Sequence, residues 1–278
     1  MSCTIDSAYV AYLDILGYKK LVQNNSHEEL KKIYDFSVKK FTISNNNNQR
    51  VIIESSRPSL IGDGSNINVQ SLMVSDSIIV WSMDNSSKSF CDILYMCMKI
   101  VSSSILKYLP VRAAVSSGPI TYDYMENGSN NQTFLYGGSI IKAYTLAEST
   151  NWIGCVIDDD TINNFIEKSV TDDFIKIHEL LNRKILIPYK VPLKQDKFDS
   201  KYVVNWTLHP QWQTYYSQAD IKFSPRELIQ KSFSELNKKT ENIDVTYKKK
   251  NTIDFLKFVL EIDIDHKNWN YAIELDTE

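Results

Sequence analysis

Residues 8–18 read AYVAYLDILGY, an apolar run of strand character that ends on one carboxylate, Asp14, followed by Ile15, Leu16 and Gly17. Its counterpart is residues 68–82, NVQSLMVSDSIIVWS, in which a second apolar run breaks at Ser75, Asp76 and Ser77 and then resumes. That pattern predicts two strands joined by a tight turn with an acid at its tip. An ionised carboxylate withdrawn from water is costly unless it is paired or bound to a cation. Two acids, each flanked by apolar residues, are therefore suited to share divalent metal. Taken singly, each reads more readily as a turn or strand-end aspartate satisfied by nearby N–H groups, and it is their joint context that points to metal.

The chain has 278 residues, 43% of them hydrophobic, enough for one sizeable core with room for a smaller added unit. A formal charge of −3 gives no basic excess for a phosphate backbone, so no nucleic-acid partner is expected. No run of about 18 apolar residues predicts a membrane span. The N-terminus, MSCTIDSAY, lacks the order of a signal peptide, and the expected location is the cytoplasm. Cys3, Cys91, Cys97 and Cys155 show no C-x-x-C spacing and read as reduced thiols, at least two of them in the core.

Along the chain, a short helical turn is expected at 18–22, and Ser26 with Glu29 forms a capping-box signature. Leu30, Ile33, Tyr34, Val38 and Phe41 then follow at helical spacing. Residues 44–66, rich in Asn, Ser, Pro and Gly, read as a long connection with a short strand at 51–54. A helix capped by Ser86 or Ser87 runs to Pro110, with Cys and Met as core residues. Strands at 111–117 and 120–125 flank Gly118, a hairpin partner follows at 133–136, and Gly137-Gly138 opens a helix to about Thr150. A strand at 152–157, helices at 161–168 and 172–181 and strands at 185–191 and 202–208 come next. A capped helix at Ser224-Pro225 with apolar positions through Leu236, the basic run 248–250 and a final helix around 253–262 complete the pattern. The alternation, with hairpins interrupting crossovers, predicts an α+β sheet of ferredoxin-like type. Residues 1–208 are expected to form the catalytic domain and 209–278 a mostly helical C-terminal extension.

In this order, LDILGY, SDS inside a hairpin, VRAAVSSGPI, LYGGSIIKAYTLAES and VID resemble the catalytic domain of class III nucleotidyl cyclases. The likeness is greatest to the bacterial antiphage branch, the Pycsar pyrimidine cyclases, and covers about residues 8–160. It implies cyclisation of a nucleoside triphosphate by attack of the ribose 3′-hydroxyl on the α-phosphorus, assisted by two Mg²⁺ or Mn²⁺ ions. Asp14, Asp76 and the backbone carbonyl of Ile15 would be the metal ligands, hard oxygens suited to either ion. The N–H groups of Ile15 to Tyr18, Gly17 among them, would cradle the triphosphate. The resemblance further implies a homodimer and a cyclic nucleotide product read by a separate effector protein.

Where purine cyclases carry a base-selecting lysine and aspartate, this sequence has Leu72 and Phe134, neither able to hydrogen-bond a purine. That favours UTP or CTP as substrate and cUMP or cCMP as product, with Gln70 on the strand face of Leu72 able to contact either pyrimidine. The asparagine and arginine expected on the helix after the glycine pair are replaced by Ile141 and Thr145. Lys142, one residue away, and Arg112 are the candidates to replace the missing cation, although Arg112, inside a strand, also reads as a structural ion pair. Arg50 and Arg57 lie in the long connection. Lys190, Lys194, Lys197 and Lys201 can reach phosphate or be simply solvated. Tyr144 and Glu148 share a helix face, and the four histidines read as surface or capping residues. Two alternatives remain: a divergent adenylate or guanylate cyclase, and an inactive nucleotide-binding module.

Overall fold

The computed structural model describes residues 2–38, 69–127, 130–172, 174–217, 222–238 and 242–262. The long connection, with Arg50, Arg57 and the strand expected at 51–54, lies outside them. The first half of the chain follows β1 (Ser2–Ile15), α1 (Tyr18–Asn24), α2 (His27–Ile33), β2 (Val69–Val74), β3 (Ser77–Ser82), α3 (Ser87–Leu106) and β4 (Val111–Asn127). Their strand order, β2-β3-β1-β4 with every pair antiparallel, is the βαββαβ ferredoxin-like arrangement. The added unit is β5 (Asn130–Tyr136), α4 (Gly138–Ser149), β6 (Gly154–Ile157), α5 (Asp159–Ser169), α6 (Ile177–Asn182), β7 (Leu186–Pro192) and β8 (Phe198–Val204). It extends the sheet by a parallel pairing of β6 on β4 and then antiparallel β8 and β7, while β5 folds back on the distal half of β4.

Strand alternation divides β1 between two layers. Tyr9 meets Phe90 of α3, ring centroids 4.9 Å apart, on the face that carries the main core. Tyr12 meets Tyr144 of α4, centroids 5.2 Å apart, on the opposite face. Asp14, two residues beyond Tyr12, therefore belongs to the α4 face. A small apolar cluster of Ala8, Val10, Trp81 and Ile120 fills that side, with Leu72 packed against it.

α3 is long and apolar enough to cross a membrane by length and composition, which the sequence pattern did not suggest. Its apolar side chains are buried against β1, β3 and β4 and against the helices that follow the sheet, so here it serves as a core helix. Cys91, Cys97 and Cys155 are buried free thiols, and burial pushes the Cys91 thiol up to about 12.

The C-terminal part comprises α7 (Pro210–Ser217), α8 (Pro225–Ser234) and α9 (Ile243–Ile262). Trp206, Trp212, Phe233 and Phe255 place it in the same core cluster as the strands. Several expected boundaries move for local reasons. The two strands expected around Gly118 are one strand, which Gly118 carries through at φ 147°. Asp172 is not helical: its carboxylate accepts from the N–H of Ser87 at 2.7 Å and of Phe174 at 3.0 Å, fastening the start of α3. The strand expected to reach Leu208 ends at Val204 and a 3₁₀ turn, Trp206–Leu208, follows. α8 stops at Ser234 because Leu236 and Asn237 adopt left-handed conformations, φ 58° and 59°. α9 starts at Ile243, earlier than expected, where Asn242 Oδ1 accepts from the N–H of Val245 at 2.8 Å. α7, which the sequence pattern did not suggest either, begins after buried His209, whose Nδ1 accepts from the N–H of Gln211 at 3.3 Å.

Candidate active site

Asp14 sits one residue from the end of β1, cross-strand from Ser77 of β3 and from Arg112 of β4. The register brings the tip of the β2–β3 turn beside it, and the N–H of Ile15 donates to the carbonyl of Asp76 at 2.9 Å. Three hydroxyl contacts brace that tip. Tyr12 and Ser77 share a 2.6 Å hydrogen bond. Tyr34 shares another with Tyr18 at 2.6 Å and donates to the carbonyl of Ser75 at 3.1 Å. Ser75 itself is left-handed, φ 59°, a strained conformation for a serine that such bracing maintains.

The Asp14 carboxylate is largely buried and paired with Arg112, whose Nε and Nη2 lie 3.0 and 2.9 Å from Oδ2. Burial pushes the Asp14 carboxyl upward, Arg112 pulls it back, and the neighbouring charge of Asp76 raises it again, with a net rise. Arg112 also pairs with Glu148 on α4, and the other oxygen of Glu148 is 3.2 Å from Lys194 Nζ. Burial, reinforced by the Arg112 charge, lowers the Lys194 ammonium. The result is a relay of alternating charge, Asp14, Arg112, Glu148 and Lys194, running from the end of β1 across to the segment after β7. The sequence named Arg112 as an ion-pair candidate and Lys194 as one of four lysines. Nothing in the i, i+4 spacing of Tyr144 and Glu148 indicated that Glu148 joins the two cations.

The other candidates are not members of this relay. Ile15 is buried and its N–H is committed to Asp76, while the N–H of Leu16 donates to the Pro110 carbonyl at 2.8 Å. Two of the four amides expected to cradle a triphosphate are thus spent on holding the loop. Gly17, left-handed at φ 79°, forms the N-terminal boundary of the seven-residue α1. Leu72 and the exposed Gln70 lie on one face of β2, cross-strand from Ile79 and Trp81. Lys142 is exposed on α4 and pairs with Asp160 at 3.0 Å, which raises its ammonium. Phe134 is opposite Asp123, whereas Asp14 is opposite Arg112, so about 35 Å of β4 separates the two registers.

No protein-family model matches the sequence, and no curated protein matches it. Solved structures do align with it. The adenylyl cyclase CyaB from P. aeruginosa aligns at 12% identity and TM-score 0.47, over 73% of this chain and 95% of that one. The dimeric guanylyl cyclase domain of the RhoGC fusion protein from the aquatic fungus Blastocladiella emersonii aligns at 12% identity and TM-score 0.47, over 73% and 96%. A class III adenylyl cyclase-like ATP-binding protein from Pseudomonas aeruginosa aligns at 14% identity and TM-score 0.42, over 59% and 35%.

Among the described residues no group of three or more His, Cys, Asp or Glu could hold a metal ion. A smaller donor set, the Asp14 and Asp76 carboxylates with the Ile15 carbonyl, consists of hard oxygens of the kind that Mg²⁺ or Mn²⁺ takes. A cation there would offset the charge with which Asp76 raises Asp14.

Proposed function

We propose that the protein is a metal-dependent nucleotidyl cyclase of the class III type that acts on UTP or CTP. The observation that carries this reading is the joining of the end of β1 to the β2–β3 turn through the Ile15 N–H and the Asp76 carbonyl, which makes the charges of Asp14 and Asp76 neighbours. Asp14, Asp76 and the Ile15 carbonyl would hold two Mg²⁺ or Mn²⁺ ions. Bound there, such ions lower the pKa of the ribose 3′-hydroxyl and neutralise phosphate charge. Arg112 and Lys194, both paired with Glu148, are two cations on the Asp14 side of the site that would meet the charge of departing pyrophosphate.

Leu72 and Phe134, without side-chain hydrogen-bonding groups, favour a pyrimidine over a purine, with Gln70 the polar group on the Leu72 face. The distance along β4 between Phe134 and the Asp14 register supports a site completed by a second copy of the chain. Val74, Phe134, Tyr136, Ile141 and Tyr144 are exposed large apolar side chains on β2, β5 and α4, the kind of surface a homodimer covers. Lys142, exposed on α4, would then serve the partner's site. The product, cUMP or cCMP, would act in the cytoplasm as an antiphage second messenger on a separate effector.

A second reading, a nucleotide-binding module without turnover, is favoured by one observation: Arg112 pairs directly with Asp14, the first metal ligand. The deciding experiment incubates the purified protein separately with ATP, GTP, CTP and UTP, with Mn²⁺ or Mg²⁺, and resolves products by mass. A cyclic monophosphate from UTP or CTP alone supports the proposal and names the base. A cyclic purine replaces it with a divergent purine cyclase, and nucleotide binding without product in any reaction supports the second reading.

A further inference from the structure

The C-terminal part carries no recognisable catalytic signature, yet three consecutive residues of it hold α1 and the loop that leads into it from β1. Lys238 is 1% exposed, and its Nζ donates to the carbonyls of Tyr108 and, at 2.5 Å, of Ser232. Its Cδ lies 3.6 Å from the position a Cβ on Gly17 would occupy, so the lysine stem packs along the loop between β1 and α1. Asn24 Nδ2 donates to the Asn237 carbonyl at 2.7 Å, and Asn25 Nδ2 to the Leu236 carbonyl at 2.9 Å. Asn237 Nδ2 returns a bond to Asn25 Oδ1 at 3.0 Å. Both ends of α1 are therefore attached to residues 236–238.

The same lysine reaches the loop from its other side. Leu16 donates to Pro110, and Pro110 is two residues from Tyr108, whose carbonyl Lys238 holds and whose own φ is 59°. Four residues in this assembly, Gly17, Tyr108, Leu236 and Asn237, adopt left-handed conformations, and three are non-glycine residues for which that is rare. Conformations of this kind persist where the surroundings over-determine them, and they cluster at sites whose geometry must be held.

We propose that the turn formed by residues 235–238 is a positioning element of the candidate active site, with Lys238 the positioning residue that keeps Asp14 and Ile15 in register with Asp76. The inference deepens the metal-site reading and rests on it for its functional consequence, but not for its structural one. A lysine suits this role because an ammonium bonds several carbonyls at once, and a four-carbon stem packs against a loop that has no side chain at Gly17.

The test compares Lys238→Met, Asn25→Ala and Thr252→Val with the wild-type full-length chain. Thr252→Val is the control: it removes the hydrogen bond that Thr252 Oγ1 accepts from the Ile153 N–H at 2.9 Å, loosening α9 elsewhere. Residue-resolved hydrogen exchange is read at Ile15 and Leu16, and Mn²⁺ affinity by titration of the free ion signal. In Lys238→Met, which removes the hydrogen bonds to the Tyr108 and Ser232 carbonyls, the two amides should exchange about tenfold faster, and Mn²⁺ affinity should fall with them. Thr252→Val should leave both unchanged. Faster exchange confined to α8 and Tyr108, with Ile15 and Leu16 unaltered, would overturn the proposal. Should Lys238→Met fail to fold, Asn25→Ala decides the same question from the other end of α1. Wild-type protein that binds no Mn²⁺ would refute the metal reading while leaving the exchange result to judge the positioning role.

Discussion

Ile15 donates its main-chain N–H to the carbonyl of Asp76 at 2.9 Å, and that one bond makes the end of β1 and the tip of the β2–β3 turn a single unit. Two acidic side chains 62 positions apart in number, Asp14 and Asp76, thereby become electrostatic neighbours, and the Asp76 charge disfavours ionisation of Asp14. Loss of either acid should remove the reason for the arrangement. Asp14→Asn and Asp76→Asn are expected to lower Mn²⁺ affinity and cyclic nucleotide formation by at least about a hundredfold, the scale of removing a group that stabilises transition-state charge. Titration with Mn²⁺ and product analysis by mass check this. Wild-type turnover in both variants would remove the two acids from the mechanism.

Arg112 is the counter-charge that permits Asp14 to stay ionised in a largely buried position. Arg112→Met should destabilise the fold by about 3 kcal/mol, because it leaves Asp14 and Glu148 without their shared partner. It should also push the Asp14 carboxyl further upward, so that metal binding in the variant weakens at a higher pH than in the wild type as acid is added. Denaturant unfolding measures the first effect and Mn²⁺ titration across pH the second.

Tyr34 touches neither acid but braces the turn that carries Asp76 by donating to the Ser75 carbonyl. Tyr34→Phe deletes only the hydroxyl and should cost about 1 kcal/mol of stability. Mn²⁺ affinity is expected to fall severalfold while nucleotide base preference stays as it was. A variant with wild-type metal affinity would restrict Tyr34 to a packing role.

Burial depresses the imidazole of His209 to about 3. The unfolded chain, with a histidine near its ordinary value of about 6.5, binds more protons than the folded one between those limits. Stability from this residue is therefore complete above about pH 6.5 and falls as pH drops toward 3, by about 1.4 kcal/mol per unit at the steepest. His209→Asn, whose carbonyl can still accept from the Gln211 N–H, should flatten this part of the profile. The measurement is the wild-type minus variant difference in unfolding free energy at pH 7, 6, 5 and 4, which cancels the carboxylates common to both. A difference that does not change across that range would contradict the assignment.

Much of the architecture was legible in local pattern. The alternation in 8–18 and 68–82, the Ser26 and Ser86 caps and the Gly137-Gly138 break act over a few residues, and the corresponding elements are present. The two acids were legible for the same reason: each interrupts an apolar strand, where a charge demands explanation. Boundaries failed where a distant partner intervened. Asp172 left its expected helix to cap α3, and the apolar run through Leu236 ends early because the following turn is bonded to Asn24 and Asn25.

By itself the sequence determined the strand and helix periodicities and the positions of Asp14 and Asp76 at strand ends. Only the tertiary structure decided that Arg112 and Glu148 join Asp14 in one charge relay, that Phe134 is remote from Asp14 within one chain, and that Lys238 reaches the loop at Gly17. Periodicity records which face of an element is buried. Which groups meet across elements is set by sheet register and by chain reversals over a hundred residues away, and no local pattern encodes those.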